Sequence, residues 1–194
     1  MGAVAHGVAQ DNISFKFGSI TSIDGLVHNS VNDIVQDEYG FLWIGTMDGL
    51  NRYDGSRFEL FKNIPGDSTS LVNNTVWFLE KGKDHDILIG TAAGLCRYSY
   101  RSNQFERIPL TSDDSNNGIR RISLDNKNQI WTSSINQGCF RLDHFYDDSI
   151  SVVRDYPQFT STAFTTFVLQ DDIDTSRVWI TPVSYTHLTQ PTKA

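Results

Sequence analysis

The chain has 194 residues, of which 39% are hydrophobic and 20% are charged, a composition typical of folded globular proteins. Its formal net charge of −7 and its isoelectric point near 5.1 disfavour nucleic acid and anionic membrane surfaces as partners. No apolar run approaches the roughly 18 residues that a membrane-spanning helix needs. The sequence therefore predicts no membrane segment in this chain.

Residues 1–14 are expected to form a flexible N-terminus. The string from Met1 to Gln10 has no basic region and no long apolar core, so it is not a complete signal peptide. Gly7-Val8-Ala9 followed by Gln10 nevertheless has the small-x-small form of a signal-peptidase site. A truncated export signal and a plain flexible terminus therefore both stay open.

A repeat with a period near 45 residues occupies most of the remaining chain. Four similar strings, of which the first is Trp-Ile-Gly-Thr, are separated by 45, 43 and 48 residues and begin at Trp43, Leu88, Trp131 and Trp179. A second marker, first seen as Gly-Leu-Asn-Arg-Tyr, recurs at intervals of 45 and 44 residues and begins at Gly49, Gly94 and Gly138. Two independent markers that keep one period indicate a repeat architecture.

Period-two alternation and turn residues predict four strands in each unit. In the first unit these strands are 31–36, 41–46, 50–53 and 57–61, and Gly49 lies in a tight turn that favours a positive φ. In the second unit they are 76–80, 87–91, 95–98 and 104–108. In the third they are 119–124, 129–133, 139–142 and 150–154, and no convincing helix is predicted anywhere.

Four short antiparallel strands in about 45 residues describe one blade of a β-propeller. The sequence therefore predicts an all-β partial propeller with about three complete four-stranded blades and part of a fourth. The predicted boundaries are an opening strand with the first blade at 15–61, a second blade at 62–108, a third at 109–154 and a partial fourth at 155–183. Because an unclosed array leaves the faces of its terminal blades uncovered, we expect the chain alone to be marginally stable or to aggregate.

The positions that recur in every unit are assigned to the scaffold. The large residue that opens each string can fill the space between blades, and the glycines mark turns or close approaches. These positions are Trp43, Gly45, Gly49, Leu88, Gly90, Gly94, Trp131, Gly138 and Trp179.

The two cysteines are not expected to pair. Cys139 aligns with Leu95, one position before the counterpart of Cys96, and neighbouring positions in a strand point to opposite faces. Buried free thiols are therefore predicted. The five histidines are scattered and lack the spacing of metal ligands, so no metal and no cofactor are expected.

The segment from Asn29 to Gly55 resembles the two-component regulator propeller repeat. The matching features are Asn-Ser-Val at 29–31, an Asp-x-x-Gly turn at 37–40, Trp-Ile-Gly-Thr at 43–46 and Asp-Gly-Leu-Asn-Arg-Tyr-Asp-Gly at 48–55. The match is good in the second unit. It weakens in the third, where Ser133-Ser134 replaces Gly-Thr and Leu142 replaces Tyr.

This resemblance implies the N-terminal part of the periplasmic sensor of a hybrid two-component system histidine kinase, whose ligand is typically an oligosaccharide. It also implies two successive propellers and a small β-sandwich, then a membrane helix, kinase, receiver and DNA-binding domain; related repeats also precede diguanylate cyclases. The implied partners are the oligosaccharide, the rest of the parent chain and a second copy of the parent. The chain itself carries no kinase or DNA-binding motif, so it is expected to be no enzyme.

Candidate ligand-binding residues come from the predicted geometry of a blade. The loop before the inner strand and the loop between the second and third strands share one rim, and both carry amide and carboxylate side chains. Together with side chains on or next to inner strands, the candidates are Asn29, Asp48, Asn73, Asn74, Trp77, Asn117, Arg120 and Arg121. These groups suit hydrogen bonding and stacking on a sugar. The alternative, that the asparagines only cap turns, stays open.

Two other functions also stay open, a propeller lyase or hydrolase acting on polysaccharide and a protein-interaction propeller. The acidic pairs, such as Asp37-Glu38 and Asp171-Asp172, all fall in or beside predicted turns, which argues for turn and solvated-edge roles over acid–base catalysis. No Gly-x-Ser-x-Gly string supports a serine nucleophile.

The fourth unit departs from the repeat after the strands 165–170 and 178–181. Tyr185 and Leu188 stand where the repeat calls for Gly and Arg. Residues 184–194 resemble a read-through tail from an assembly or adapter and are expected to be non-native.

Overall fold

The computed structural model describes residues 17–110, 118–125, 129–135, 138–143, 145, 151–153, 165–170, 177–182 and 192–193. From residue 151 onward it describes the backbone and, among side chains, only that of Val152. The predicted N-terminus at 1–14, Asn117 and most of the tail at 184–194 lie outside these residues. Of the predicted opening strand, only Phe17 is described, and its side chain is exposed.

The described residues form four antiparallel sheets in chain order. The first blade contains β1 (Val31–Gln36), β2 (Leu42–Thr46), β3 (Gly49–Tyr53) and β4 (Phe58–Phe61). The second contains β5 (Val76–Lys81), β6 (Ile87–Thr91), β7 (Gly94–Ser99) and β8 (Gln104–Ile108). The third contains β9 (Ile119–Leu124), β10 (Ile130–Ser134), β11 (Gly138–Asp143) and β12 (Ser151–Val153).

A fourth, three-stranded sheet contains β13 (Thr165–Gln170), β14 (Arg177–Pro182) and β15 (Thr192–Lys193). The predicted partial propeller is confirmed, and every strand predicted within the four repeat units lies within one residue of its observed bounds. The pairing of Thr192 with Val178 places a piece of the predicted tail in this sheet. A three-residue 3-10 turn, Lys83–His85, lies between β5 and β6.

Neighbouring blades pack through two apolar clusters, one on each face of the second blade. Ile87 and Ile89 lie in the cluster shared with the first blade, whereas Leu88 between them lies in the cluster shared with the third. This alternation is the expected consequence of the strand's period of two. The second blade is therefore covered on both faces, and its sheet is the centre of the described core.

The large residues that open the repeat strings lie in this core. Trp43 and Leu88 are 0% exposed and Trp131 is 3% exposed. The backbone of Trp179 lies in β14. Cys96 and Cys139 are both buried and free, as predicted, and burial raises the pKa of the Cys96 thiol to about 12.

The repeated glycine of the second strand permits close approach of the next blade. A Cβ added at Gly45 would lie 2.6 Å from Val76 Cγ1, and one at Gly90 would lie 2.9 Å from the carbonyl oxygen of Ile119. In both cases the neighbour is the first residue of the next inner strand. The third blade has Ser133 here, whose buried hydroxyl has no hydrogen-bond partner among the described residues.

The first-blade turn is built around a buried carboxylate. Asp37 Oδ1 accepts hydrogen bonds from the backbone N–H of Tyr39 and Phe41, and Asp37 Oδ2 accepts one from Trp43 Nε1 at 2.7 Å. The hydroxyl of Tyr100 in the second blade donates to the same oxygen. Asp37 is only 6% exposed. Its turn role was expected, but the expected solvated edge is wrong, since this carboxylate links two blades from inside the core.

Candidate functional site

The loops before the inner strands meet the loops between the second and third strands along one edge of the array, here called the loop rim. The same backbone hydrogen bond recurs in three blades: Met47 N donates to Ser30 O, Ala92 N to Thr75 O and Ile135 N to Gly118 O, at 2.9–3.1 Å. The predicted sharing of one rim by the two sets of loops is therefore observed.

Two predicted site residues make local contacts on the loop rim. Asn29 Oδ1 accepts a hydrogen bond from Ser22 N at 2.7 Å, and Asn73 Oδ1 accepts one from Thr75 N at 2.8 Å. The Asn73 contact caps a turn, which is the alternative that the sequence left open for the asparagines. The Asn29 contact instead joins the loop before β1 to Ser22, seven positions earlier. Their amide oxygens are engaged, and a ligand would meet their NH₂ groups.

A charged cluster joins the first blade to the entrance of the second. Lys62 Nζ lies 2.8 Å from Asp48 Oδ2, and Asn74 Nδ2 donates to Asp48 Oδ1 at 3.4 Å. Asn74 Oδ1 in turn accepts from Asn63 N at 2.7 Å. The hydrogen bond from Lys62 holds the pKa of the Asp48 carboxyl below its usual range. Asp48 is therefore an ionised acceptor on the rim.

Each of the four inner strands carries a β-bulge one residue after its start. In β1, Val31 pairs with Thr46 and Asp33 with Gly45, so Asn32 has no partner of its own. The equivalent registers in the other three inner strands leave one extra residue each, namely Trp77 in β5, Arg120 in β9 and Thr166 in β13. We call Asn32, Trp77, Arg120 and Thr166 the bulge ring. Bulges are over-represented beside functional sites because they re-aim a side chain.

The described side chains of the bulge ring contact the neighbouring blade. The Arg120 guanidinium carbon lies 4.3 Å from the centroid of the Trp77 ring, and Asn32 Nδ2 donates to Val76 O at 2.6 Å. A Cβ at Gly118 would lie 2.8 Å from Trp77 Cζ3, so the glycine makes room for the indole. Arg121, the next residue of β9, lies over the Phe78 ring at 4.4 Å.

Sequence reasoning identified Trp77 and Arg120 but missed Asn32. The available signal was the apolar spacing in the inner strands, where Val31 and Ile34 are three residues apart and not two. A regular strand would place such residues on opposite faces. The bulge returns both to one face and makes the residue after Val31 the extra one.

Two open cavities lie beside the second blade. One, of about 400 Å³, includes the rim residues Ala93 and Gly94 and reaches Arg107 and Pro109. The other, of about 270 Å³, includes Asp86 and Arg97. Neither contains a predicted ligand-binding residue. Among the described side chains, no group of three or more His, Cys, Asp or Glu residues could hold a metal ion, and no described helix is long and apolar enough to cross a membrane.

Comparison with known proteins agrees with the architecture. The family described as two component regulator propeller matches residues 25–48, which contain the first two strands of the first blade. A histidine kinase of Formosa agariphila is 55% identical over 60 residues, a segment that spans 31% of this chain and 4% of the kinase. Residues 25–48 are therefore similar to a two-component regulator propeller repeat.

Solved structures share the fold. The extracellular domain of a hybrid two-component system from B. thetaiotaomicron superposes with a TM-score of 0.70 at 24% identity, over 84% of this chain and 23% of that one. A one-component system ectodomain from the same organism gives 0.66 at 21% identity, over 79% of this chain and 20% of that one. Virginiamycin B lyase from Staphylococcus aureus gives 0.57 at 14%, over 78% and 48%. The chain thus spans about a quarter or less of the two ectodomains.

Proposed function

We propose that this chain is a ligand-sensing propeller segment in the extracytoplasmic part of a two-component sensor histidine kinase, and that its ligand is an oligosaccharide. The repeat match at residues 25–48 and the similarity to a histidine kinase support the sensor class. The fold shared with two bacterial ectodomains is consistent with a periplasmic location. The remaining parts of such a sensor, and any second copy of it, are the partners that this proposal implies.

The polar cluster on the loop rim is the observation that carries the sugar-binding part of the proposal. The carboxylate of Asp48 lies within hydrogen-bonding distance of the Lys62 ammonium and of the Asn74 amide. The half-buried indole of Trp77 lies on the adjoining inner strand. A few placed polar groups beside an aromatic face form the usual chemistry of a small-molecule site.

The position of this cluster suggests how binding could be transmitted. Asp48 belongs to the turn between β2 and β3, whereas Asn74 precedes β5 in the second blade. A ligand that contacts both groups binds best at one relative placement of the two blades. Binding can shift an equilibrium only through such differential affinity, so the blade boundary is where ligand would bias the rest of a sensor.

Isothermal titration of the complete ectodomain against a panel of oligosaccharides tests this function. We expect saturable binding of at least one glycan, weakened about tenfold or more in Asp48→Ala, because each lost charge-assisted hydrogen bond costs about 1.5–3 kcal/mol. Asp54→Ala, in the exposed turn between β3 and β4, is the matched control and should bind normally. Absence of binding to every glycan would overturn the proposal.

An enzyme assay separates the sensor from its alternative. Incubation of the same ectodomain with the polysaccharides of the panel should leave their chain length unchanged. Release of unsaturated or reducing ends, lost on mutation of the rim, would instead show a lyase or a hydrolase.

A further inference from the structure

The two adjacent arginines of β9 lie in different electrostatic surroundings. Arg121 is half-buried between the second and third blades, over Phe78, and its positive charge opposes the rise that burial causes in the pKa of Glu80. Arg121 therefore has a carboxylate to balance it. Arg120 occupies the bulge and is exposed, and no carboxylate forms an ion pair with it among the described residues.

Arg120 is nevertheless held in a defined place. Its guanidinium carbon lies over the Trp77 ring, 4.3 Å from the ring centroid, which is a cation–π contact. Its N–H donors form no hydrogen bond within the part of the chain that the structure describes, and they point outward in the plane of the guanidinium. A guanidinium held in place by an aromatic ring is thus preorganised to pair with an oxyanion.

Asn32, the bulge residue of β1, suits an uncharged part of a ligand. Asn32 is exposed, and its Nδ2 donates to Val76 O at 2.6 Å and to Met47 Sδ at 3.4 Å, which leaves Oδ1 to accept a hydrogen bond from a hydroxyl. Equal register positions on successive inner strands place Asn32, Trp77 and Arg120 side by side along one line. This line offers an amide, an aromatic surface and a cation in that order.

We propose that the bulge ring selects an acidic oligosaccharide, with Arg120 pairing with a carboxylate or sulfate group on the sugar. This inference rests on the proposed oligosaccharide function and names its ligand class. The inference depends on the Arg120 guanidinium, which forms no ion pair with a described carboxylate. A guanidinium can pair with either oxyanion through two parallel N–H···O bonds. Because the chain has a net charge of −7, an anionic ligand needs a nearby positive charge in order to bind.

Titration of the complete ectodomain with matched glycans tests the ligand class. The probes are oligogalacturonides, neutral galacto-oligosaccharides of equal length, and a sulfated oligosaccharide of equal length. We expect an acidic probe to bind at least tenfold more tightly than the neutral one and to lose affinity as NaCl rises from 50 to 500 mM. The carboxylated and sulfated arms distinguish the two sources of negative charge.

Three variants locate the effect. Arg120→Gln should weaken the acidic probe 10- to 100-fold and leave the neutral one unchanged, whereas Arg120→Lys should recover part of the loss because it restores charge without the planar fork. Trp77→Leu should weaken both probes. Arg57→Gln, an exposed arginine in the turn before β4, is the charge-matched control and should bind as wild type does.

The outcomes distinguish a failure of the acidic preference from a failure of the proposed glycan-sensing function. Equal affinity for acidic and neutral probes, or an Arg120→Gln variant that binds acidic probes normally, overturns the acidic preference and leaves glycan sensing standing. Absence of binding to the acidic probes overturns the acidic preference, and absence of binding to every glycan of the panel overturns both. Because Arg120 is exposed, its variants should keep the wild-type circular dichroism spectrum and melting temperature, and a variant that did not would show Arg120 to be a packing residue and refute the assignment.

Discussion

The first and second blades share one strand pattern but lie in different surroundings. Val31 and Ile34 on β1 are 40% and 54% exposed, whereas their counterparts Val76 and Leu79 on β5 are 0% and 3% exposed. The difference arises because β5 packs on the first blade at Gly45, while the corresponding side of β1 is open to solvent in the part of the chain that the structure describes. A blade's strands are thus specified locally, and its burial depends on a neighbour.

The two blades also differ in the turn that precedes the second strand. The first blade buries Asp37 beneath the indole of Trp43. The second has Leu88, which has no N–H to donate, and Gly82 stands where the aspartate would be. The third blade restores the pair, with Trp131 Nε1 donating to Asp125 Oδ2 at 3.3 Å. The carboxylate is therefore present only where an indole N–H needs an acceptor.

A lysine should strongly destabilise the chain at Leu79 and should be tolerated at Ile34. Leu79→Lys places a charge at a position 3% exposed, so we expect a loss of several kcal/mol and a chain that fails to fold. Ile34→Lys adds the same charge to the open face of β1, where it should leave the urea midpoint nearly unchanged and reduce self-association. Urea unfolding and size-exclusion chromatography measure the two effects.

One result for these two lysine variants would contradict the comparison between the blades. If both lysine variants destabilise the chain equally, then the outer face of β1 is covered in solution, and the contrast between the two blades disappears.

Removal of the Asp37 carboxylate should be the next largest effect. Asp37→Ala leaves Trp43 and Tyr100 without their acceptor and frees two backbone N–H groups, so we expect a loss of about 2–4 kcal/mol in the free energy of unfolding. The cost should be smaller in a Trp43→Phe background, because one donor is then absent. A double-mutant cycle measured by urea unfolding checks this, and strict additivity would show that the indole and carboxylate are uncoupled.

Gly90→Ala should cost about 1–3 kcal/mol, because the new methyl group would meet the Ile119 carbonyl oxygen at 2.9 Å and force the third blade away. Gly18→Ala is the matched control, since a Cβ there meets nothing within 4 Å. Thermal melts of the two variants measure the difference. An unchanged melting temperature in Gly90→Ala would show that the blades can separate without cost.

The sequence predicted the strands well because each blade repeats a local alternation that ends at turn residues. It missed the bulge ring: the three-residue spacing of Val31 and Ile34 indicates an irregularity in β1, but the bulge itself is defined by the register between two strands. It also misjudged Asp37. An aspartate in a turn is ordinarily solvated, but here the indole of Trp43 and the hydroxyl of Tyr100 from the next blade both donate to the buried carboxylate. Both misses concern contacts between strands or blades, which a repeat alignment does not contain.

The smallest expected effect concerns Asp86, which stands in the second blade where the first has Phe41. In the first blade Arg52 lies over the Phe41 ring at 4.9 Å, while in the second Arg97 lies 3.5 Å from the Asp86 carboxylate. Burial nevertheless raises the pKa of Asp86 above its usual value of 3.8, against the pull of Arg97. Desolvation therefore outweighs this ion pair.

A raised pKa means that the folded chain holds this proton more tightly than the unfolded chain does. The stabilising contribution of Asp86 is then fully present below about pH 3.8 and is lost as the pH rises through the folded-state pKa. Asp86→Asn mimics the neutral acid at every pH, so its stability relative to wild type should increase between pH 4 and pH 7, by less than about 1 kcal/mol. A variant that instead loses stability relative to wild type as the pH rises would show that Arg97 stabilises the carboxylate more than burial penalises it, and that the second blade has replaced an aromatic contact with a favourable ion pair.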